Sequence, residues 1–103
     1  VIFIGGTGAK QYWNDPYAHQ LVRSAVDSGK VVGAICVAPV ILANAGVLNG
    51  KKATVWPTEN EKLRKKGAEY TGKDVTVDGR IVTGNGPEAA KKFAEEIMKL
   101  LEQ

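Results

Sequence analysis

Apolar residues in this chain fall into two kinds of pattern, short unbroken runs and longer stretches at helical spacing. Val1-Ile2-Phe3-Ile4 is a continuous apolar run stopped by Gly5-Gly6, as expected of a strand buried on both faces of a parallel sheet. Val31-Val32-Gly33-Ala34-Ile35 repeats that pattern, and Ala53-Thr54-Val55-Trp56, ended by Pro57, predicts a third strand. Between the first two runs, Asp15-Pro16 places a capping carboxylate before a proline at the first helical position. Tyr17, Leu21, Val22, Ala25 and Val26 then recur as one face of a helix that Gly29 closes. Pro39 to Ala45 predicts a second helix ended by Gly46, and Thr58 or Asn60 is placed to cap a short charged one through Lys66. Val75-Thr76-Val77, Asp78-Gly79 and Arg80-Ile81-Val82-Thr83 read as a hairpin, with Asp-Gly supplying a tight turn. Beyond Pro87, the residues Ala90, Phe93, Ala94, Ile97 and Leu101 form the stripe of a closing helix.

Strand, helix, strand, helix, strand, helix, hairpin, helix describes one α/β layered domain with a mainly parallel sheet. The first strand presents a difficulty. A two-faced strand normally has hydrogen-bonded neighbours on both sides, and few others are available to flank it. An N-terminal portion preceding Val1 is therefore expected.

Composition narrows the function classes. The chain has 103 residues, 44% hydrophobic and 24% charged, and 14 Lys plus Arg against 11 Asp plus Glu give a net charge of +3. These values describe a folded globular domain. The cluster Lys62, Arg64, Lys65 and Lys66 is interleaved with Glu59, Glu61 and Glu69, so it reads as a solvated helix face and not a nucleic-acid stripe. No apolar run reaches the roughly 20 residues of a membrane helix, and no basic-then-apolar leader opens the sequence. Neither nucleic acid nor membrane is expected as a partner. A single cysteine forms no internal disulfide, which fits a reducing, cytoplasmic setting.

That cysteine lies in the sharpest local pattern. In Ala34-Ile35-Cys36-Val37-Ala38-Pro39 a buried strand ends at Cys36 and a helix starts just after it. Small residues stand two before and two after, as a strained nucleophile elbow requires. The carboxyl end of a parallel strand is also where open α/β sheets place their ligands. Helix amides aimed at a sulfur favour thiolate, the reactive form. The competing reading, Cys36 as a small buried hydrophobe, stays open on pattern alone. Gly5-Gly6-Thr7-Gly8 follows the first strand and can turn amides toward an oxyanion. It is not a dinucleotide fingerprint, because Gln11 stands where the third glycine belongs. His19, the sole histidine, falls within the first amphipathic helix and reads as an exposed helical residue. One Cys and one His do not close a zinc site, so no metal is expected. Trp13 and Trp56 read as packing residues, with Trp56 placed to wall a pocket.

Together, Val1 to Gly6, the run Ala34 to Pro39, Ala45-Gly-Val-Leu-Asn-Gly-Lys51 and Val82-Thr-Gly-Asn-Gly-Pro87 resemble the ThiJ/PfpI family. This is the intracellular-protease-like branch of the class I glutamine-amidotransferase-like superfamily. The likeness runs over essentially the whole chain, in order and with matching spacing. It implies a flavodoxin-like three-layer sandwich, incomplete in this chain. Residues 1–103 would be the C-terminal part of a single domain whose preceding strand–helix–strand portion is absent. It further implies a catalytic Cys36, oxyanion-binding amides at Gly6 and Val37, and a pocket at Gly5, Trp56 and Asn85. No cofactor is implied. Members commonly form dimers or higher oligomers and act on small molecules, so a homo-oligomer with a small-molecule substrate is expected, together with the missing segment, on the same or a separate chain.

Three departures qualify what is carried over. The family's N-terminal portion holds a glutamate that bonds the nucleophilic sulfur, and no residue here takes that role. Many protease-like members have His directly after the cysteine, where this chain has Val37, and the deglycase branch has His where this chain has Trp56. The leading expectation is a cysteine-dependent enzyme acting on small carbonyl or acyl substrates, of glyoxalase, deglycase or hydrolase type. An intracellular cysteine peptidase is one alternative, weakened because peptide hydrolysis profits from an imidazole. A non-enzymatic stress protein that senses oxidants through Cys36 is another.

Overall fold

The computed structural model describes residues 1–103, the side chain of Thr7 excepted. Its strands are β1 (Ile2–Ile4), β2 (Val32–Ile35), β3 (Lys52–Ala53), β4 (Glu69–Tyr70), β5 (Val75–Asp78) and β6 (Ile81–Gly84). Its α-helices are α1 (Pro16–Asp27), α2 (Pro39–Asn44), α3 (Asn60–Lys65) and α4 (Ala90–Leu101). A 3-10 turn over Thr7–Tyr12 joins β1 to α1, and shorter ones over Pro57–Glu59 and Pro87–Ala89 lead into α3 and α4.

The main sheet has the order β1-β2-β6-β5. The first three strands run parallel, in the register Phe3 with Ala34 and Ala34 with Thr83, and β5 closes the far edge antiparallel to β6. Helix α4 packs on one face, burying Phe93, Ile97 and Leu100 against Val31, Ile35, Val75 and Val82. On the other face Val22 and Ala25 of α1 and all of Val40 to Ala43 of α2 close a second core with Val32, Ala34, Val55 and Leu63. The result is a three-layer α/β sandwich with a mostly parallel sheet, as the alternating pattern predicts.

Local chemistry explains most of the boundaries. The carboxylate of Asp15 accepts from the amides of Tyr17 (2.8 Å) and Ala18 (3.4 Å), capping α1 as expected. Helix α3 carries no such side-chain cap at its start, so neither Thr58 nor Asn60 fills that role. The hairpin forms one residue later than expected. Asp78 pairs with Ile81, leaving Gly79 and Arg80 as the turn, with positive φ (62°) at Gly79 alone. That is the demand of a turn needing glycine only in its first position.

Two strand expectations change in context. The third strand does not enter the main sheet: its ladder holds only Lys52 and Ala53, paired parallel with Glu69 and Tyr70. Thr54, just beyond, is fully buried and gives its amide to the Thr83 hydroxyl at 2.9 Å, a side-chain bond in place of a ladder bond. The first strand is not buried on both faces. It pairs with β2 and has no second neighbour among the described residues, and Ile2 and Ile4 are 48% and 78% exposed. These two residues, with Phe93, Ile97, Met98 and Leu101, line an apolar groove of about 380 Å³ beside α4.

Candidate active site

Between the end of β2 at Ile35 and the start of α2 at Pro39, the chain bends at Cys36. Its φ is +66°, the one positive value at a non-glycine position among the described residues. An L-residue held there costs about 1–2 kcal/mol, and such strain persists only where the surroundings impose it. Three constraints impose it here. The Cys36 amide donates to the Gly84 carbonyl at 3.0 Å, continuing the β2–β6 pairing into the bend. The Cys36 carbonyl accepts the Trp56 amide at 2.8 Å. From below, Gly5 presses on the bend so closely that a Cβ there would overlap the Ile35 carbonyl oxygen, lie 2.6 Å from Cys36 Cβ and 2.9 Å from the Val37 nitrogen. Only glycine fits that contact. The side chain of Cys36 is half-buried and carries a free thiol.

Of the other expected site residues, Gly5, Val37 and Trp56 meet at this bend, and Gly6 follows Gly5 along the chain. Gly6 takes φ of +151°, which side chains rarely adopt, and its carbonyl accepts the Ala9 amide at 3.0 Å to start the 3-10 turn. Val37 is buried, and among the described residues its amide has no backbone acceptor. Trp56 lies over Gly86, where a Cβ would come within 2.9 Å of its ring. With Asp74, Asn85 and Pro87 it walls a cavity of about 440 Å³. Asn85 faces that cavity without reaching the cysteine. It is held by Asp74, whose carbonyl accepts the Asn85 amide at 2.9 Å. Gly5 and Gly6 line a separate hollow of about 310 Å³, so the expected pocket residues fall in two cavities, and Cys36 lines neither.

His19 needs correction. It is half-buried, not exposed, and its Nε2 lies 2.7 Å from the Trp13 carbonyl oxygen. The same oxygen accepts Asn44 Nδ2 at 2.8 Å, and the Trp13 indole donates to the Val37 carbonyl at 3.0 Å. Trp13 is thus joined to the bend itself and does more than pack. Sequence gives no signal for these bonds, which link residues 24 and 31 positions apart. Nearby, the buried Glu59 accepts from Lys62 at 2.7 Å and from the Thr58 hydroxyl at 3.3 Å. The bond from Lys62, against some opposing desolvation, holds its carboxyl below the usual value of 4.5. Among the described residues no imidazole or carboxylate is hydrogen-bonded to the Cys36 sulfur, and no three His, Cys, Asp or Glu side chains converge as metal ligands.

An α/β sandwich with a strained cysteine at the carboxyl end of a parallel strand is one architecture among many, and comparison with known proteins specifies which. Residues 1–100 match the DJ-1/PfpI family, and the chain belongs to it. An uncharacterized protein of Methanocaldococcus jannaschii is 43% identical over all of this chain and 52% of its own length. A glutathione-independent glyoxalase of Caenorhabditis elegans is 31% identical over 99% of this chain and 54% of its own. The crystal structure of a ThiJ/PfpI domain protein from Brachyspira murdochii superposes with a TM-score of 0.94 at 31% identity, covering 98% of this chain and 60% of the other. The flavodoxin-like fold follows from that match. The chain spans about half the length of the curated relatives it matches. No helix among the described residues is long and apolar enough to cross a membrane.

Proposed function

We propose that this chain carries the nucleophile of a cysteine-dependent enzyme acting on small carbonyl or acyl compounds, of glyoxalase or deglycase type. The observation that carries the reading is the left-handed backbone at Cys36, a strain that glycine in its place would relieve. Cys36 Sγ, as thiolate, adds to an aldehyde carbon and forms a C–S bond, while the carbonyl π electrons move onto oxygen. The amides of Val37 and Gly6 receive that negative oxygen. For a 2-oxoaldehyde, a proton then leaves the carbon bearing sulfur and returns to its neighbour, giving a thioester. Water cleaves the thioester, releasing a hydroxy acid and regenerating the thiol. The reaction consumes one water and no external oxidant. The relative named as a glyoxalase supports this substrate class.

The proton carrier lies outside the residues bonded to the sulfur, and we assign it to the glutamate of the strand–helix–strand portion that the family places before the first strand. The bare edge of β1 and its apolar groove suit such a segment, on the same chain or a separate one. A neighbouring copy in a homo-oligomer is the other source. Residues 1–103 then form the C-terminal part of one domain, working in the cytoplasm, where a single unpaired cysteine stays reduced. Methylglyoxal consumption and ester hydrolysis by the whole protein test the reading. Both fall to background in Cys36→Ser, and retention of both rejects it.

A second reading rests on the absence, among the described residues, of an imidazole or carboxylate bonded to the sulfur. Cys36 would then sense oxidants, passing from thiolate to sulfenic and sulfinic acid with peroxide as the oxidant. Mass spectrometry after mild peroxide separates the two. Selective dioxidation without turnover favours the sensor, and turnover without oxidation favours the enzyme.

A further inference from the structure

We infer that Trp13 is the positioning residue for the Cys36 bend. This rests on the reading of Cys36 as the nucleophile, and it concerns a residue that touches no reacting atom. One side chain and one carbonyl of the same residue grip both ends of α2. The indole Nε1 donates at 3.0 Å to the carbonyl of Val37, two residues before the helix begins. The Trp13 carbonyl accepts at 2.8 Å from Asn44, the last residue of that helix. A further contact to the same oxygen comes from His19 Nε2 of α1 at 2.7 Å, so the brace is itself anchored to the neighbouring helix.

The ring is also fixed in orientation. The ammonium groups of Lys10 and Lys62 lie 5.6 and 5.2 Å from its centroid, within the range of cation–π attraction. Lys62 is in turn bonded to the buried Glu59. Trp13 follows the 3-10 turn that starts after Gly6, so a single short segment runs from one proposed oxyanion donor to the brace on the other. Losing the indole N–H leaves the Val37 carbonyl with only the 3.3 Å bond from Val40. The Val37–Ala38 peptide then keeps only that bond and the 3.2 Å bond from the Ala38 amide to the Ile35 carbonyl, and the spacing between the Gly6 and Val37 amides is held less firmly.

The test uses the whole protein and two substitutions at one position. Trp13→Phe keeps an aromatic ring and removes the N–H. Trp13→His puts a ring nitrogen, Nε2, at the place along the side chain that Nε1 holds in tryptophan. Two readouts are taken, hydrogen exchange at the Val40 and Ile41 amides and the rate of Cys36 alkylation by iodoacetamide across pH 5–9. A neutral hydrogen bond of ordinary net strength corresponds to roughly 3–10-fold in each. The expected result is exchange faster and alkylation slower by that factor in Trp13→Phe, with Trp13→His within about twofold of the wild type. Wild-type behaviour of Trp13→Phe in both readouts overturns the inference, as does equal impairment of the two variants. If Trp13→Phe does not fold, Asn44→Ala loosens the other end of the brace, and unchanged exchange and alkylation there overturn it equally. Should the wild-type thiol react no faster than in the denatured chain while the exchange pattern holds, the brace stands and the nucleophile reading falls.

Discussion

Replacing Cys36 by glycine should make the protein more stable than replacing it by alanine, although alanine is ordinarily the better residue. Both substitutions remove the sulfur, so their difference isolates the backbone. At φ +66° an L-residue pays about 1–2 kcal/mol that glycine does not. Glycine gives back about 0.4–1 kcal/mol through its greater freedom in the unfolded chain. The net expectation is about 0–1.6 kcal/mol, or about 0.8 kcal/mol at the midpoints, in favour of Cys36→Gly. Urea unfolding of the two variants under identical conditions measures it, as a shift in midpoint at a common slope. Ala38→Gly, two residues on at φ −64°, is the internal control and should destabilise by about 1 kcal/mol or more, since it also loses a buried methyl. A deficit in the glycine variant would refute the claim that the bend stores strain. A confirmed gain would show that the natural residue holds its place at a cost to stability, the relation expected where function and folding compete.

Gly5→Ala should destabilise by about 1–3 kcal/mol and slow Cys36 alkylation, because the new methyl meets backbone that has little room to move. Gly8→Ala, where nothing lies within 4 Å, should change neither, and thermal melts with thiol kinetics compare them. Glu59 gives a dependence on pH. Its folded pKa lies below the usual 4.5, so its contribution is complete above that value and is lost as pH falls through the lower, folded one. Urea midpoints of wild type and Glu59→Gln from pH 6 to 3 should converge on acidification, and parallel curves would exclude this linkage.

Much of the architecture was legible because apolar runs and capping residues are local signals. Asp15 caps α1 through contacts two and three residues away, and the helix begins where the sequence places it. The bend at Cys36 was legible for a related reason, since Ala34, Ala38 and Pro39 leave little besides a sharp strand-to-helix turn. Partners remote in sequence were not. An apolar run shows that β1 is built to be buried but does not say by what, so its place at the sheet edge emerges only from pairing. Thr54 has a strand's composition, yet its amide is claimed by a threonine side chain 29 residues away. The periodicity around His19 predicts the helix without predicting that Trp13 would offer it a carbonyl. At the site, the glycine that must be glycine is visible as Gly5-Gly6, whereas the brace across residues 13, 37 and 44 depends on three elements meeting.

The bond from the Cys36 amide to Gly84 ties the bend to the order in which the protein is made. Forty-eight positions separate the two, and β6 follows the β5 hairpin strand, so β2 is synthesised well before the last support for the bend exists. A polypeptide interrupted before that hairpin carries its cysteine on relaxed backbone, without the carbonyl that holds the turn. The thiol therefore acquires its special setting late, after its surroundings are assembled, and truncated translation products are left without it.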